Sequence, residues 1–500
     1  MTPTSHRFLR RSILLNGLFA VEGASMFLLD VVLAAALGLG SRSDSLYAAW
    51  SLPLTIGRGA FQSLTNSLIG LFAEAEDDNV AYSQSVTVIG VLSLAAAALM
   101  SLTSRWWFPL SVPGADAATR QAGVPLAAIL AWLIALLALA ETQRAIYYRL
   151  ERVTFPSLTR VFGALGAIVL ILIAARQQNL TLAAYGLVLG AAVEMLLGFA
   201  GLLWLGVRPR LAWPPLVILR RMGRVVGLPL LGQGILIGGS TAERALASLL
   251  GPGTVTAITY ANRIFQMLER FIFRGFVVAT IQSYAAGLEA RWRRDMRFLL
   301  LIAVPLFVVF AVMPTAIITI VFQRGRFTAE ATDLVALALR AYAPAILIVA
   351  LNRIPYALAF ARSKGRELMI FSLIFATTLI GSEALLITLG LRVSAFGLAY
   401  LIAATVGTAW LFARVVSDLE MPRWSVDEVA RLAAVALVAL GGTALVTVAV
   451  GRLDLDPTAQ AWITVLAGGS SSVVLTVAAA WVLRLPEIGQ VSRLLRGATR

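Results

Sequence analysis

The arginines that fall inside long apolar runs are the residues of this chain with the clearest capacity for chemistry. Eight of the 41 basic residues do so: Arg58, Arg160, Arg244, Arg263, Arg270, Arg274, Arg340 and Arg353. A guanidinium within a membrane costs about 2.5–3.5 kcal/mol on insertion scales, and its planar fork matches the oxygens of a phosphate. The surplus therefore predicts a water-filled cavity that holds an anionic substrate. Six arginines are the candidate binding residues: Arg58, Arg244, Arg263, Arg270, Arg274 and Arg353. The other two, Arg160 and Arg340, fall where a long side chain can reach a membrane surface.

Carboxylates occur in the same apolar runs, at Glu22, Asp30, Glu194, Glu243, Glu269 and Glu383. One interpretation is that acids and arginines only pair with each other, for example Glu269 with Arg270. A second is that Asp30 and Glu243 bind a coupling cation, either Na⁺ or H⁺. Because each acid could equally neutralise Arg244 or another arginine, both interpretations stay open.

Several kinds of site are excluded by residue types that the chain lacks. It has no cysteine, its single histidine is His6, and its single lysine, Lys364, precedes Gly365 without a following Ser or Thr. Thiol chemistry, a histidine-based triad, a histidine-ligated metal and a phosphate-binding GK[ST] loop are therefore absent. We therefore expect that the protein is not an enzyme and that it holds no metal ion and no cofactor. Energy must then come from an ion gradient, the membrane potential or the substrate concentration.

Helices must position these charged residues, because the composition is that of a polytopic membrane protein. Hydrophobic residues make up 59% of the chain and charged residues 13%, against about 25% charged in a soluble domain. Apolar runs near 20 residues predict an all-α fold of about fourteen transmembrane helices. Their expected limits are 10–37, 44–73, 84–103, 122–148, 156–175, 181–206, 217–249, 255–287, 298–321, 334–361, 368–390, 394–416, 430–450 and 460–484.

The distribution of basic residues predicts the orientation in the membrane. Twenty-five of the 41 lie at the termini or in alternate loops, and only eight lie in the opposite loops. By the positive-inside rule both termini are cytoplasmic, which requires an even number of spans. The high net charge, +15, is then explained by a cytoplasmic surface facing the bilayer, and we expect no nucleic-acid partner.

An internal repeat relates two halves of the chain. DVVLAAALGLGSRSDSLYA, from Asp30 to Ala48, returns 213 positions later as ERALASLLGPGTVTAITYA, from Glu243 to Ala261, with seven of nineteen pairs identical. Chance identity among Ala, Leu and Gly is the alternative, but the glycine spacing agrees as well. We predict parallel six-helix lobes at 1–213 and 214–426, followed by two extra helices and a basic cytoplasmic tail at 427–500.

A glycine-rich run within the predicted seventh helix indicates a hinge. Residues Gly227 to Ser240, GLPLLGQGILIGGS, contain five glycines and Pro229. Such a helix is expected to bend or break and to expose backbone groups to a cavity. Pro53, Gly57 and Gly59 predict a similar bend around Arg58. Close helix packing through small residues, as in Gly186-x-x-x-Gly190, is the alternative explanation.

Three motifs in order along the chain resemble the MviN/MurJ family of lipid-linked glycan flippases. ERALASLLGPGTVTAITYANRI (243–264) resembles the seventh and eighth helices of that family. GLGSRSDSLYAAWSLP (38–53) resembles its loop and second helix, and QRGRFTAEAT (323–332) resembles the segment after its ninth helix. The motif residues carried over are Asp44, Asn262, Arg324 and Gly325. The resemblance covers essentially the whole chain.

The resemblance implies two six-helix lobes around a cationic cavity, with two further helices that help form a groove for a polyprenyl tail. Arg263 in YANRI matches an essential cavity arginine of the family. Arg58 lies where the family often has paired arginines, with Gly57 before it. Asp30 is retained, but the family's arginine before this acid is Leu29 here.

Together these features predict a flippase that moves a polyprenyl-pyrophosphate-linked glycan, such as the peptidoglycan precursor lipid II, to the outer leaflet by alternating access. Such a protein serves cell-wall synthesis and cell shape from the bacterial inner membrane, as a monomer, alongside other envelope-synthesis proteins. The alternatives are an exporter of another lipid-linked oligosaccharide, a cation-coupled drug exporter of the same fold, and a non-transporting envelope scaffold. The arginine surplus disfavours an exporter of cationic drugs.

Overall fold

The structure is a computed structural model. It describes residues 21–61, 68, 77–152, 154–285, 292–362, 364–416 and 426–485, apart from the side chains of 60, 221–233, 236, 268–279, 281–283, 285 and 426. Regular structure within these ranges is helical, as predicted. The chain divides into two compact units, Met1–Thr256 with Arg324–Phe327, and Ala257–Gln323 with Thr328–Arg500. The lobe limits expected at residues 213 and 426 stay a prediction.

Among its described residues, the first unit contains nine α-helices and one π-helix. They are α1 (21–37), α2 (Ser41–Leu54), the π-helix Thr55–Ala60, α3 (Asp78–Leu102), α4 (Ser104–Ser111), α5 (Ala117–Leu130), α6 (Leu133–Arg149), α7 (Thr154–Gln177), α8 (Leu180–Trp204) and α9 (Leu216–Ser248). Helix α10 (Thr254–Ala285) begins in this unit and continues in the second.

The part of the second unit that the structure describes continues with eight further helices. They are α11 (Trp292–Val312), α12 (Pro314–Phe322), α13 (Ala329–Tyr342), α14 (Ala345–Ala361), α15 (Gly365–Thr388), α16 (Ser394–Val415), α17 (Val426–Gly451) and α18 (Pro457–Val482).

The predicted runs at 122–148, 298–321 and 334–361 each correspond to two consecutive helices, whereas other runs match single helices closely. The runs at 156–175 and 394–416, for example, correspond to α7 and α16. In the part of the chain that the structure describes, nine helices are long and apolar enough to cross a membrane. A tenth is added if α13 and α14, bent by 43° at their junction, form one span. The total of fourteen stays a prediction.

The four glycines of the internal repeat have backbone conformations that L side chains rarely adopt. Gly38, Gly40, Gly251 and Gly253 all have positive φ, which explains their matching positions in the two copies. The two loops also lie together, since a Cβ on Gly253 would be 3.3 Å from the Gly40 nitrogen. Their position at one end of the first unit is what a parallel repeat requires.

Small residues bring helices α7 and α8 into close contact. A Cβ added to Gly163 would lie 2.6 Å from the Gly190 carbonyl oxygen, and a Cβ on Gly190 would lie 2.6 Å from that of Gly163. Close packing is therefore the role of Gly186-x-x-x-Gly190. Helix α9, by contrast, is continuous through Gly227–Ser240, so the expected break is wrong and a bend stays a prediction.

The segment between α8 and α9 lies along helix α3 as an extended strap, residues 207–213. Its backbone N–H groups at Arg208, Arg210 and Ala212 donate to the side-chain oxygens of Asn79, Ser83 and Thr87, over 3.0, 3.0 and 3.1 Å. Two residues of the extended strap advance about 6.6 Å, and four residues of helix α3 advance about 6 Å. Every second N–H group of the strap therefore meets every fourth side chain of the helix. Pro209 has no N–H, and it occupies a position between donors.

The two C-terminal helices pack within the second unit against α11 and α12. Val435 and Ala439 of α17 and Ala480 of α18 share a buried cluster with Val304 and Val308 of α11. The Ser472 hydroxyl donates to the Pro305 carbonyl of α11 over 3.0 Å. These contacts join the helices without a repeat counterpart to the rest of the unit.

Candidate functional site

Arg58 projects from an irregular turn that follows helix α2. The α-helix changes after Leu54 into the π-helix Thr55–Ala60, and Pro53 lies just before the change. Gly57 allows this turn to pack on α6, because a Cβ there would lie 2.9 Å from the Leu133 carbonyl oxygen. Short π-helical turns are frequent at functional sites. The irregularity expected around Arg58 is therefore present.

Arg160 on α7 lies at the centre of a buried cluster of charges. Its Nε donates to Glu194 Oε1 over 3.2 Å, its Nη2 donates to Glu141 Oε1 over 2.5 Å, and its Nη1 donates to Glu22 Oε1. Arg160 is only 6% exposed. The prediction that its side chain reaches a membrane surface is wrong, because three carboxylates from three other helices hold the guanidinium inside the unit.

Two more arginines complete this ion network, which consists of Glu22, Arg58, Glu141, Arg144, Arg160 and Glu194. Arg58 Nη2 lies 2.6 Å from Glu194 Oε2, and Arg144 lies 3.7 Å from both Glu22 and Glu141. Three arginines face three glutamates, so the formal charges cancel. Balanced pairing of this kind is what permits so many charges away from water.

Arg58 nevertheless keeps unused hydrogen-bonding capacity. Its Nε and Nη1 are buried and have no hydrogen-bond partner among the described residues, and the same holds for Glu22 Oε2. Leaving a buried polar group unsatisfied costs about 1–3 kcal/mol. Arg58 therefore has two N–H groups that can donate hydrogen bonds to phosphate oxygens.

Glu141 and Arg144 of the network were not predicted as functional residues. They lie near the end of the apolar run 122–148, where the positive-inside rule assigns a basic residue to a cytoplasmic loop. Their spacing of three residues, which places both on one helix face, was the available signal. The pairing of Glu194 with arginine agrees with the interpretation that intramembrane acids and arginines neutralise each other.

Asp44 is the anchor of a loop cluster formed by residues 35–44, 113–116, 248–256 and 324–327, all within the first unit. Its carboxylate accepts hydrogen bonds from the Gly253 nitrogen at 2.7 Å, the Thr256 nitrogen at 2.9 Å and the Thr256 hydroxyl at 2.6 Å. These contacts cap the start of α10, where backbone N–H groups lack helical partners. Asp44 is 4% exposed.

The QRGRF motif joins the same loop cluster. Gly325 has a φ of +62°, and a Cβ there would lie 2.4 Å from the Ala35 carbonyl oxygen. The Arg326 nitrogen donates to that oxygen over 2.9 Å, and Arg324 is exposed beside it. The glycine of this motif is thus required by a close backbone contact.

The carboxylate of Asp116 forms further hydrogen bonds within the loop cluster. Asp116 accepts from the Ser41 hydroxyl at 2.7 Å and from the Thr119 nitrogen at 2.8 Å. The Gly114 nitrogen donates to the Ser248 hydroxyl over 3.0 Å. Hydrogen bonds from Thr119 and Ser41 hold the pKa of Asp116 below its ordinary value, so the carboxylate stays ionised at neutral pH.

The other predicted site residues of the first unit lie on α1 and α9. Asp30 is 3% exposed and accepts a hydrogen bond from the Tyr47 hydroxyl over 3.2 Å. Glu243 and Arg244 are half-buried on α9. The hypothesis that Asp30 and Glu243 bind a coupling cation stays a prediction.

In the second unit, Asn262 and Arg263 lie near the start of α10 and Arg353 lies on α14, all half-buried. The Asn262 Oδ1 accepts from the Gln266 side chain over 3.0 Å. The side chains of Arg270 and Arg274, which were also predicted to bind substrate, lie outside the described residues. Arg340 is exposed on α13, and its reach to a membrane surface stays a prediction.

Comparison with known proteins gives a consistent result over most of the chain. A family model described as "Lipid II flippase MurJ" matches residues 33–465. A "Probable lipid II flippase MurJ" of Rhizobium meliloti (strain 1021) is 27% identical over 424 residues, covering 78% of this chain and 77% of the relative. One of Bdellovibrio bacteriovorus is 26% identical over 202 residues, or 38% of each protein.

Solved structures share the fold at lower identity. "Lipid II flippase MurJ, inward closed conformation" has a TM-score of 0.80 and 15% identity, covering 94% of this chain and 99% of that one. An inward-facing multidrug resistance MATE family transporter of the MOP superfamily has a TM-score of 0.68 and 18% identity, covering 79% and 96%. At these identities the likeness concerns the fold, which is that of a polytopic helical membrane protein.

Proposed function

Because the chain belongs to the lipid II flippase MurJ family, we propose that it carries lipid II, a polyprenyl-pyrophosphate-linked glycan, from the cytoplasmic to the outer leaflet of the bacterial inner membrane. The family match over residues 33–465 is the observation that carries this proposal. The buried Arg58 with two unused donor groups agrees with an anionic substrate.

In this function the protein binds and moves its substrate without making or breaking a bond. The pyrophosphate is the strongest charge of lipid II, and arginine can hold two of its oxygens at once. We assign this contact to Arg58 and Arg263, with Arg244, Arg270, Arg274 and Arg353 as further cationic groups of the cavity. A guanidinium inside a membrane protein is costly unless a ligand, water or a carboxylate compensates its charge.

Alternating access requires one side of the protein to close while the other is open. With the N-terminus in the cytoplasm, the loop after α1 faces outward, and so does the loop cluster around Asp44. We infer that the three hydrogen bonds of Asp44 help to keep the outer side closed.

The membrane potential is a sufficient driving force in physical terms. Moving one elementary charge across 100 mV is worth about 2.3 kcal/mol, and an inside-negative potential favours outward movement of the anionic pyrophosphate. The same potential favours the return of an empty cationic cavity to the inner side. A coupling Na⁺ or H⁺ on Asp30 or Glu243 is the other form of energy input.

The remaining parts of the proposal concern the surroundings of the protein. We propose both termini in the cytoplasm, a monomer in the membrane, and contact with other proteins of envelope synthesis. The apolar outer surfaces of α17 and α18, including Leu445, Leu466 and Val474, are the surfaces we assign to the polyprenyl tail.

The experiment is to identify the lipid that leaves the membrane with the protein. We expect a native mass spectrum of the protein, purified from cells in mild detergent, to contain an adduct with the mass of lipid II. The adduct should shrink in Arg58→Gln protein and persist in Arg340→Gln protein, whose arginine lies exposed on α13. Adducts with other lipid-linked glycans only, in the presence of normal lipid II levels, would reassign the substrate.

A further inference from the structure

Glu194 is shared between two arginines of unlike surroundings. Its Oε2 accepts from Arg58 Nη2 at 2.6 Å, and its Oε1 accepts from Arg160 Nε at 3.2 Å. The two bonds use different oxygens of one carboxylate, so either can break while the other remains. Glu194 would therefore keep a charged partner if Arg58 moved away.

The two partners differ in how firmly the backbone holds them. Arg160 and Glu194 lie on α7 and α8, two helices in close contact, and a Cβ on Gly163 would lie 3.1 Å from the Glu194 Cβ. Arg58 lies on the π-helix, between Gly57 and Gly59. Glycine on both sides and an irregular hydrogen-bond pattern make a turn easier to rearrange than a packed helix pair.

The partners also differ in how fully their hydrogen bonds are satisfied. Arg160 is bound by three carboxylates, whereas among the described residues Arg58 has one carboxylate contact and two buried donor nitrogens without a partner. The Arg58 side chain is also the more exposed, at 18% against 8%. Arg58 thus gains hydrogen bonds by meeting an anion, and Arg160 would lose them.

From this geometry we propose that Glu194 is a positioning residue for transport, a resting counter-ion that holds Arg58 when no substrate is bound. The pyrophosphate displaces Glu194 from Arg58, Arg160 keeps the released carboxylate neutralised, and Glu194 recaptures Arg58 when the substrate leaves. This inference rests on the proposed function, since it names the residue that competes with the pyrophosphate. Substrate release is then an exchange at Arg58, in which the Glu194 carboxylate replaces the pyrophosphate.

The test compares two double variants with the same net charge. Glu194→Gln with Arg144→Gln frees Arg58, while Glu141→Gln with Arg144→Gln leaves the Arg58–Glu194 pair in place. Each removes one acid and one arginine from the ion network, so both keep its charges balanced. Binding of purified lipid II to the detergent-solubilised protein is measured beside thermal unfolding, with the corresponding polyprenyl alcohol as a probe that lacks phosphate.

We expect the first variant to bind lipid II about tenfold more tightly than wild type, because no carboxylate competes for Arg58, and to release it more slowly during transport. The second variant should bind as wild type does, and the alcohol should not distinguish the three proteins. Equal affinities in both variants, or equal losses of stability without a change in affinity, would overturn the counter-ion role. If Glu194→Gln protein does not fold, Glu194→Asp should give the same direction, because a shorter acid holds Arg58 less well. Failure of wild type to bind lipid II would instead reject the proposed function.

Discussion

At the scale of single residues, burial and pairing separate arginines that look alike along the chain. Arg160 has its three carboxylates and so serves the stability of the first unit. Arg58 shares Glu194 with Arg160, and its Nε and Nη1 have no hydrogen-bond partner among the described residues. Hydropathy alone cannot make this distinction, because it places a residue along a helix but not around it. For the same reason the sequence predicted Glu194 as an intramembrane acid and did not predict its two partners.

Arg263 is the predicted site residue whose role is most sharply testable. It lies half-buried near the start of α10, next to Asn262. If Arg263 holds the pyrophosphate, Arg263→Lys should unfold at the wild-type temperature yet lose most transport, because an ammonium group cannot provide the bidentate fork. If it only pairs with a carboxylate such as Glu243, the lysine variant should work and Arg263→Ala should be destabilised.

The measurement is thermal stability and outer-leaflet delivery of lipid II for both Arg263 variants. Arg414→Lys, in the last turn of α16, is a suitable control for the loss of a guanidinium outside the proposed cavity. A stable and fully active Arg263→Lys protein would remove Arg263 from the substrate site.

At the scale of elements, the strap shows a contact that apolar patterning cannot reveal. Its acceptors lie about 130 positions earlier in the chain, and both hydroxyls also donate within α3, Ser83 to the Asn79 carbonyl and Thr87 to the Ser83 carbonyl. Their oxygens are thereby oriented to accept the N–H groups of Arg210 and Ala212. The predicted runs located α3 and α9 well, but the attachment of the segment before α9 depends on three polar side chains.

Releasing the strap should have a measurable local effect. We expect Ser83→Ala with Thr87→Val to lower the free energy of unfolding by about 1–2 kcal/mol, since two net hydrogen bonds are lost. Amide hydrogen exchange at Arg210 and Ala212 should become faster, while exchange in α8 stays the same. The double variant Ser372→Ala with Thr377→Val is the control, because these hydroxyls donate within their own helix. Unchanged exchange at Arg210 and Ala212 would contradict the hydrogen-bond ladder.

The C-terminal helix pair should be needed for transport of a lipid-linked substrate. We expect a chain that ends before α17, lacking residues 426–500, to insert into the membrane and to lose delivery of lipid II. Part of the loss of stability will come from uncovering Leu301, Val304 and Val308 of α11. Insertion is measured by protease protection of the loops. Normal transport by the inserted, truncated protein would refute the assignment of the tail surface.

At the scale of the whole molecule, the long apolar runs predicted a helical membrane fold. The glycines that recur at an offset of 213 residues predicted that its two halves are similar. The loop cluster was less accessible to prediction, since it breaks that symmetry. Asp44 falls on Ala257 at the repeat offset of 213, so the acid that caps α10 has no counterpart in the second copy. Contacts unique to one copy depend on the folded arrangement and not on the repeat.

The central claim is that the protein moves lipid II between leaflets, and proteoliposomes test it most directly. Fluorescent lipid II is loaded into the inner leaflet, and a membrane-impermeant enzyme outside cleaves the glycan of any molecule that arrives. With a potential that is negative inside, we expect the cleaved fraction to rise with time in vesicles that contain the wild-type protein, and more slowly when the potential is collapsed. Protein-free vesicles should stay near their starting value. Equal cleavage in vesicles with and without the folded protein would contradict the account.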